Sequence, residues 1–217
     1  MVIAPHPDDE VLGCGGVIRQ YSAQGDEVHV VIVTRGAIDL YPEDEDDEIK
    51  QEIKDAHDVL GVAKTHFLEF PAPKLDTVPG YQLADEIAGV IRAVCPTTVY
   101  CPHRGDVHAD HQRVFQATLV ATRPINHCSV KQLFCYETLS ETEWCPPFGD
   151  QAFVPNVFVD ISASLDEKLK AMSCYQSQLQ DSPKPRSLTA IEALAKLRGS
   201  TVSLPAAEAF MLIRAIF

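Results

Sequence analysis

The 217-residue chain has no Cys-x-x-Cys pair among its seven cysteines, no cluster of lysine and arginine, and no apolar run of membrane-spanning length. Each absence excludes something. Scattered cysteines in odd number do not describe a disulfide framework. With 18 basic against 31 acidic residues and a net charge of −13, the chain is not expected to bind nucleic acid, because phosphate recognition needs clustered Lys and Arg. No charged segment followed by an apolar stretch opens it, so no membrane span is expected and a reducing cytoplasm is the expected location. A homo-oligomer is compatible with the sequence, which shows no heptad that would decide it.

What is present is ordinary for a globular domain: 46% hydrophobic and 23% charged residues, in a chain long enough for one sizeable core and short for two. Short β-rich runs alternate with amphipathic stretches, the pattern of βαβ units on a parallel sheet. Strands are predicted at Val2–Ala4, Glu27–Thr34, His66–Phe70, Thr97–Cys101 and Lys131–Tyr136. Helices are predicted at Val11–Gln24, Glu48–Leu60, Gln82–Val94 and Asp110–Thr122. After Tyr136 the pattern changes: a strand at Asn156–Ile161, a helix at Leu165–Gln178 and a helix through Ile191–Leu197 follow. No low-complexity linker sets this part off. Residues 1–217 therefore read as one domain, with 1–136 its core and 137–217 a small appendage packed on the sheet. The acidic run Glu43–Glu48 reads as a solvated loop or helix start, with a lid over a site as the sharper reading.

Two segments concentrate imidazole and carboxylate. Pro5-His6-Pro7-Asp8-Asp9-Glu10 follows the first strand, and His103-Arg104-Gly105-Asp106-Val107-His108-Ala109-Asp110-His111 follows the fourth. In a doubly wound sheet of order 3-2-1-4-5 these strands are neighbours, and the crevice between their carboxyl ends is where such folds bind ligands. Clustered carboxylates are costly without a cation, and imidazole nitrogen with carboxylate oxygen is a suitable Zn²⁺ donor set. His6, Asp9 and His111 would make a His₂Asp set, which accommodates Fe²⁺ as well. Asp8 could then take a proton, His108 could face the substrate, and Asp110 could orient an imidazole, although spacing alone does not assign these roles. Gly13, Gly15 and Gly16 lack the spacing of a nucleotide-binding loop and read as points of close helix–strand approach.

Taken together, PHPDDE and HRGDVHADH resemble the two motifs of the PIG-L/LmbE-like family of zinc-dependent N-acetylglucosaminyl deacetylases. The resemblance extends over roughly residues 1–125 and recurs thinly in Arg198-Gly199 and Ala207–Phe210. It implies a Rossmann-like three-layer α/β sandwich with a mostly parallel sheet. It also implies Zn²⁺ on His6, Asp9 and His111, Asp8 as general base, and His108 as oxyanion stabiliser or acid. Asp110 would support the histidine pair. Arg35 falls where substrate-contacting arginines lie in the family, and Asp106, inside the second motif, is a second candidate for substrate contact. The implied reaction is hydrolysis of an acetamido sugar or sugar conjugate to acetate and free amine. The competing readings are a metal-dependent phosphoesterase and a non-catalytic metal-binding protein of the same fold.

Overall fold

A computed structural model describes residues 1–37, 39–40 and 44–217. Seven strands form one sheet in the order β3-β2-β1-β4-β5-β7-β6. They are β1 (Val2–Ala4), β2 (His29–Gly36), β3 (Lys64–Ala72), β4 (Thr98–Pro102), β5 (Gln132–Tyr136), β6 (Val157–Asp160) and β7 (Ala207–Ala215). The first five pair in parallel, while β7 runs antiparallel between β5 and β6. The helices are α1 (Asp9–Ala23), α2 (Asp44–Leu60), α3 (Gly80–Val94), α4 (Ala109–Ala121), α5 (Leu165–Cys174) and α6 (Leu188–Ser200).

Both faces of the sheet are covered, so its central strands are apolar throughout and alternate between two cores. Val2, Ala4, Val30, Ile32, Tyr100 and Tyr136 pack towards α1, α2, α5 and α6. Ile3, Val31, Val33, Val99, Leu133 and Cys135 pack towards α3 and α4. The buried β1 is only three residues long, yet it pairs on both sides, with Val2 opposite Val30 of β2 and Tyr100 of β4.

In the last third, β6 and β7 extend the sheet itself, and α5 and α6 cover it. The predicted helix at Leu165–Gln178 stops at Cys174. There the chain turns, and Ser177 donates its N–H and hydroxyl to the Glu52 carboxylate of α2 (2.9 and 2.6 Å). The acidic run opens α2, with Asp47 and Glu48 exposed, whereas Glu43 lies outside the described residues.

α1 lies unusually close to the sheet. A Cβ on Gly13 would fall 2.2 Å from the Tyr136 ring, and one on Gly16 2.6 Å from Ile161. A buried ion pair fixes the same helix. Lys168 of α5 bonds Glu208 of β7 (2.5 Å) and the Leu12 carbonyl (2.8 Å), while Glu208 accepts from the Gly16 and Val17 N–H groups (2.8 Å each). The start of α1, which carries the first motif, is thus held by the end of the chain.

Candidate metal centre and cavity

The first motif turns sharply out of β1. Asp8 adopts a left-handed backbone (φ 93°), a conformation open to few residues besides glycine, asparagine and aspartate. Its carbonyl accepts from Val11 and Leu12 (3.0 and 2.9 Å), which starts α1. Across the gap, His108 ends the loop after β4 and caps α4.

The two motifs meet. His6 Nδ1, Asp9 Oδ2 and His111 Nε2 form a triangle with edges of 3.3, 3.2 and 3.3 Å. Three donors about 2.0–2.1 Å from one tetrahedral Zn²⁺ would lie about 3.3 Å apart. The outward ring nitrogens are also engaged: His6 Nε2 meets Asp110 Oδ2 at 3.0 Å, and His111 Nδ1 meets Asp106 Oδ2 at 2.8 Å. Carboxylates in these positions orient metal-binding imidazoles and raise their basicity. A second group, His6, His108 and Asp110, could also hold an ion. It shares His6, however, and Asp110 Oδ1 already accepts from the Leu75 N–H (3.0 Å).

Charge in the cluster favours a cation. Burial would push the His111 imidazole down, but the Asp9 and Asp106 carboxylates outweigh it and hold it up at about 10. His6 is likewise raised, its burial overcome by Asp110 and Asp9. Burial acts against the Asp9 anion, yet His111 and His6 hold its carboxyl far below the usual range. A site that retains protons on two such imidazoles is one where a divalent cation can replace them. The donor set, the triangle and the outer carboxylates all fit Zn²⁺.

His108 differs. Burial, then the neighbouring His6 and His111, lower it to about 4. Its Nδ1 accepts from the Asp110 backbone N–H (3.1 Å), so the neutral ring carries its proton on Nε2. Asp8 is 1% exposed. Its burial pushes the carboxyl up, and Arg186 opposes that rise with Nη1 3.2 Å from Asp8 Oδ2.

A cavity of about 590 Å³ opens on this cluster and runs under α2. His6, His108 and Arg35 line it, as does Arg186. Asp106 does not. It is fully buried, with one oxygen on His111 and the other accepting from the Thr142 hydroxyl (2.7 Å), so its expected place at the substrate is corrected to one behind the histidine. His103 bonds the Gln151 carbonyl (2.8 Å) and stands apart from the cluster's ligand atoms. Arg186, Glu141 and Thr142 escaped the sequence reading. Arg186 lies in a Pro-Lys-Pro-Arg loop without a motif, and joins Asp8 to Ser140 (2.8 Å) and Glu141 (3.4 Å).

Similarities to known proteins agree with this geometry. The PIG-L family, described as GlcNAc-PI de-N-acetylase, matches residues 1–122. The uncharacterized deacetylase YaiS of Escherichia coli is 30% identical over 192 residues, covering 82% of this chain and 90% of that one. The diacetylchitobiose deacetylase of Thermococcus kodakarensis is 27% identical over 201 residues, covering 83% and 70%. Among solved structures, a conserved protein of Thermus thermophilus superposes with a TM-score of 0.81 at 28% identity, covering 100% of this chain and 94% of that one. A 4-carboxy-2-hydroxymuconate hydratase of Pseudomonas putida also superposes (TM-score 0.74, 20% identity, 100% and 96% covered), which shows the fold alone. The two motifs, the sheet order and the family match establish that the chain belongs to the PIG-L family of deacetylases.

Proposed function

We propose that the chain hydrolyses the N-acetyl group of an N-acetylglucosamine-type sugar or conjugate, with Zn²⁺ held by His6, Asp9 and His111. The observation that carries this reading is the donor triangle backed by Asp110 and Asp106. When bound there, the ion would polarise the acetyl carbonyl and lower the pKa of water from ~15.7 toward ~7.

The remaining steps belong to the protein. Asp8 accepts the proton of the attacking water; burial raises its carboxyl well above the usual range, and Arg186 offsets part of that rise. His108, neutral and protonated on Nε2, lines the cavity and donates to the oxygen that gains charge as the carbonyl becomes tetrahedral. Asp8 then returns its proton to the amide nitrogen, the C–N bond breaks, and acetate and the free amine leave. Asp110 holds both histidines, His6 through its carboxylate and His108 through its backbone N–H. Arg35 lines the cavity wall, and in this reading it would meet a sugar hydroxyl.

A two-metal phosphoesterase suits the site less well, because its two candidate groups share His6. Cytoplasmic placement is supported by seven free cysteines, and among the described residues no helix is long and apolar enough to cross a membrane. Mass spectrometry of N-acetylglucosamine conjugates incubated with Zn²⁺-loaded protein tests the reading. Products lighter by one acetyl group are expected; release of phosphate from phosphosugars without deacetylation would overturn it.

A further inference from the structure

A backbone outlier borders the cavity. Glu69 has φ 58°, and among the described residues it is the one non-glycine residue of left-handed conformation inside a strand. That conformation is uncommon outside glycine, asparagine and aspartate, and a glutamate side chain gains nothing locally from it. Its origin is a β-bulge. Ile32 of β2 lies opposite Phe67 and Thr34 opposite Phe70, so two steps along β2 match three along β3. Leu68 and Phe70 pack into the core shared with α3 and α4. Glu69, between them, turns to the other side of the sheet and lines the cavity. β3 is an edge strand, and a bulge can protect an edge. Protection needs no carboxylate, however, and glycine would hold the same turn with less strain.

The surroundings of Glu69 point to a ligand. Among the described residues, neither its carboxylate nor the Arg35 guanidinium has a hydrogen-bond or ion-pair partner, although both line the same cavity. An ionised carboxylate only accepts and a guanidinium only donates. A hydroxyl does both, so a hydroxylated group between them satisfies the two at once. The order β3-β2-β1-β4 sets their place. The metal-binding motifs leave β1 and β4, Arg35 sits on β2, and Glu69 sits on β3, two strand spacings or about 10 Å from β1. Glu69 therefore faces the part of a substrate that lies beyond the acetamido ring. Across the cavity α2 contributes Glu48 and Lys50, which keeps this part polar.

We infer that Glu69 determines specificity: its carboxylate accepts hydrogen bonds from a hydroxylated aglycone, a second sugar or a polyol, to which Arg35 donates. This rests on the sugar-deacetylase reading, in which the acetamido ring occupies the metal end. The test compares N,N′-diacetylchitobiose with the cyclohexyl glycoside of N-acetylglucosamine, which carries a ring without hydroxyls in the same place. Binding to metal-free protein is measured by calorimetry, with KM and acetate release of Zn²⁺-loaded protein alongside. The parent is expected to bind the disaccharide more tightly than the cyclohexyl glycoside. Glu69→Gly should weaken disaccharide binding about tenfold, leave the cyclohexyl glycoside unaffected and keep Tm at or above the parent value. Glu69→Gln, which retains an acceptor oxygen, should fall between, and KM should follow the same order at unchanged zinc content. Equal disaccharide affinity in the parent and Glu69→Gly, or tighter binding of the cyclohexyl glycoside by the parent, overturns the inference even when acetate is released. Disaccharide binding that depends on Glu69, without acetate release from any acetamido sugar, upholds the role of Glu69 and overturns the reaction.

Discussion

Arg186 Nη1 stands 3.2 Å from Asp8 Oδ2, joining a loop near the end of the chain to a carboxylate in its first ten residues. Asp8 is buried beside two further acids, Asp9 and Glu10, and both act with burial to raise its pKa. The guanidinium works against all three.

Removing that guanidinium is therefore expected to impair the base. In Arg186→Gln the Asp8 pKa rises, so its anion forms only at higher pH. The acidic limb of kcat/KM should move up in pH, and kcat near neutrality should fall at least tenfold. A pH–rate profile of the variant against the parent checks this; an unmoved limb would remove Arg186 from that role.

Asp8→Asn separates chemistry from metal binding. Asparagine tolerates the left-handed backbone at φ 93°, so the turn into α1 should survive. Zinc content should stay at the parent level while turnover falls by about 10²–10⁴-fold, the range typical of a lost general base. Metal analysis and acetate release on the same preparation give both numbers.

Asp106→Ala should act through the metal and leave substrate binding nearly untouched. The carboxylate holds His111 Nδ1, and loss of such a partner typically weakens metal affinity about 10–100-fold. Competition against a chelator of known affinity measures the change. A raised KM at saturating zinc, with metal affinity unaltered, would restore Asp106 to substrate contact.

Lys168→Met tests the clamp on α1. It leaves Glu208 buried without its ammonium partner and the Leu12 carbonyl without its donor. Breaking a buried pair costs about 3–5 kcal/mol, a fall in Tm on the order of 10 °C for a chain of this size. Thermal unfolding of the variant should show it.

The sequence exposed the site's core because both motifs are local: each packs its donors into a few residues at the end of a strand, and the order β2-β1-β4 makes those ends adjacent. Spacing could not say which way a carboxylate faces, so Asp106 read as a substrate contact when it stands behind His111. Arg186 and Glu141 reach the cluster through long-range packing, which leaves no periodic trace. β7 escaped for a different reason. Ala-Glu-Ala-Phe-Met-Leu-Ile-Arg-Ala is rich in helix formers, and its first four residues are buried, Phe210 completely, while Leu212 and Ile213 are exposed. No single alternation runs along it.

The most direct test of the central claim is a zinc titration of chelator-treated protein, reading acetate release from an N-acetylglucosamine conjugate. Activity that rises with added Zn²⁺ and saturates at one ion per chain in the parent protein, and stays absent in His111→Ala, is the predicted result. Acetate release at full rate from the metal-free protein, or equal activation of His111→Ala, would contradict it.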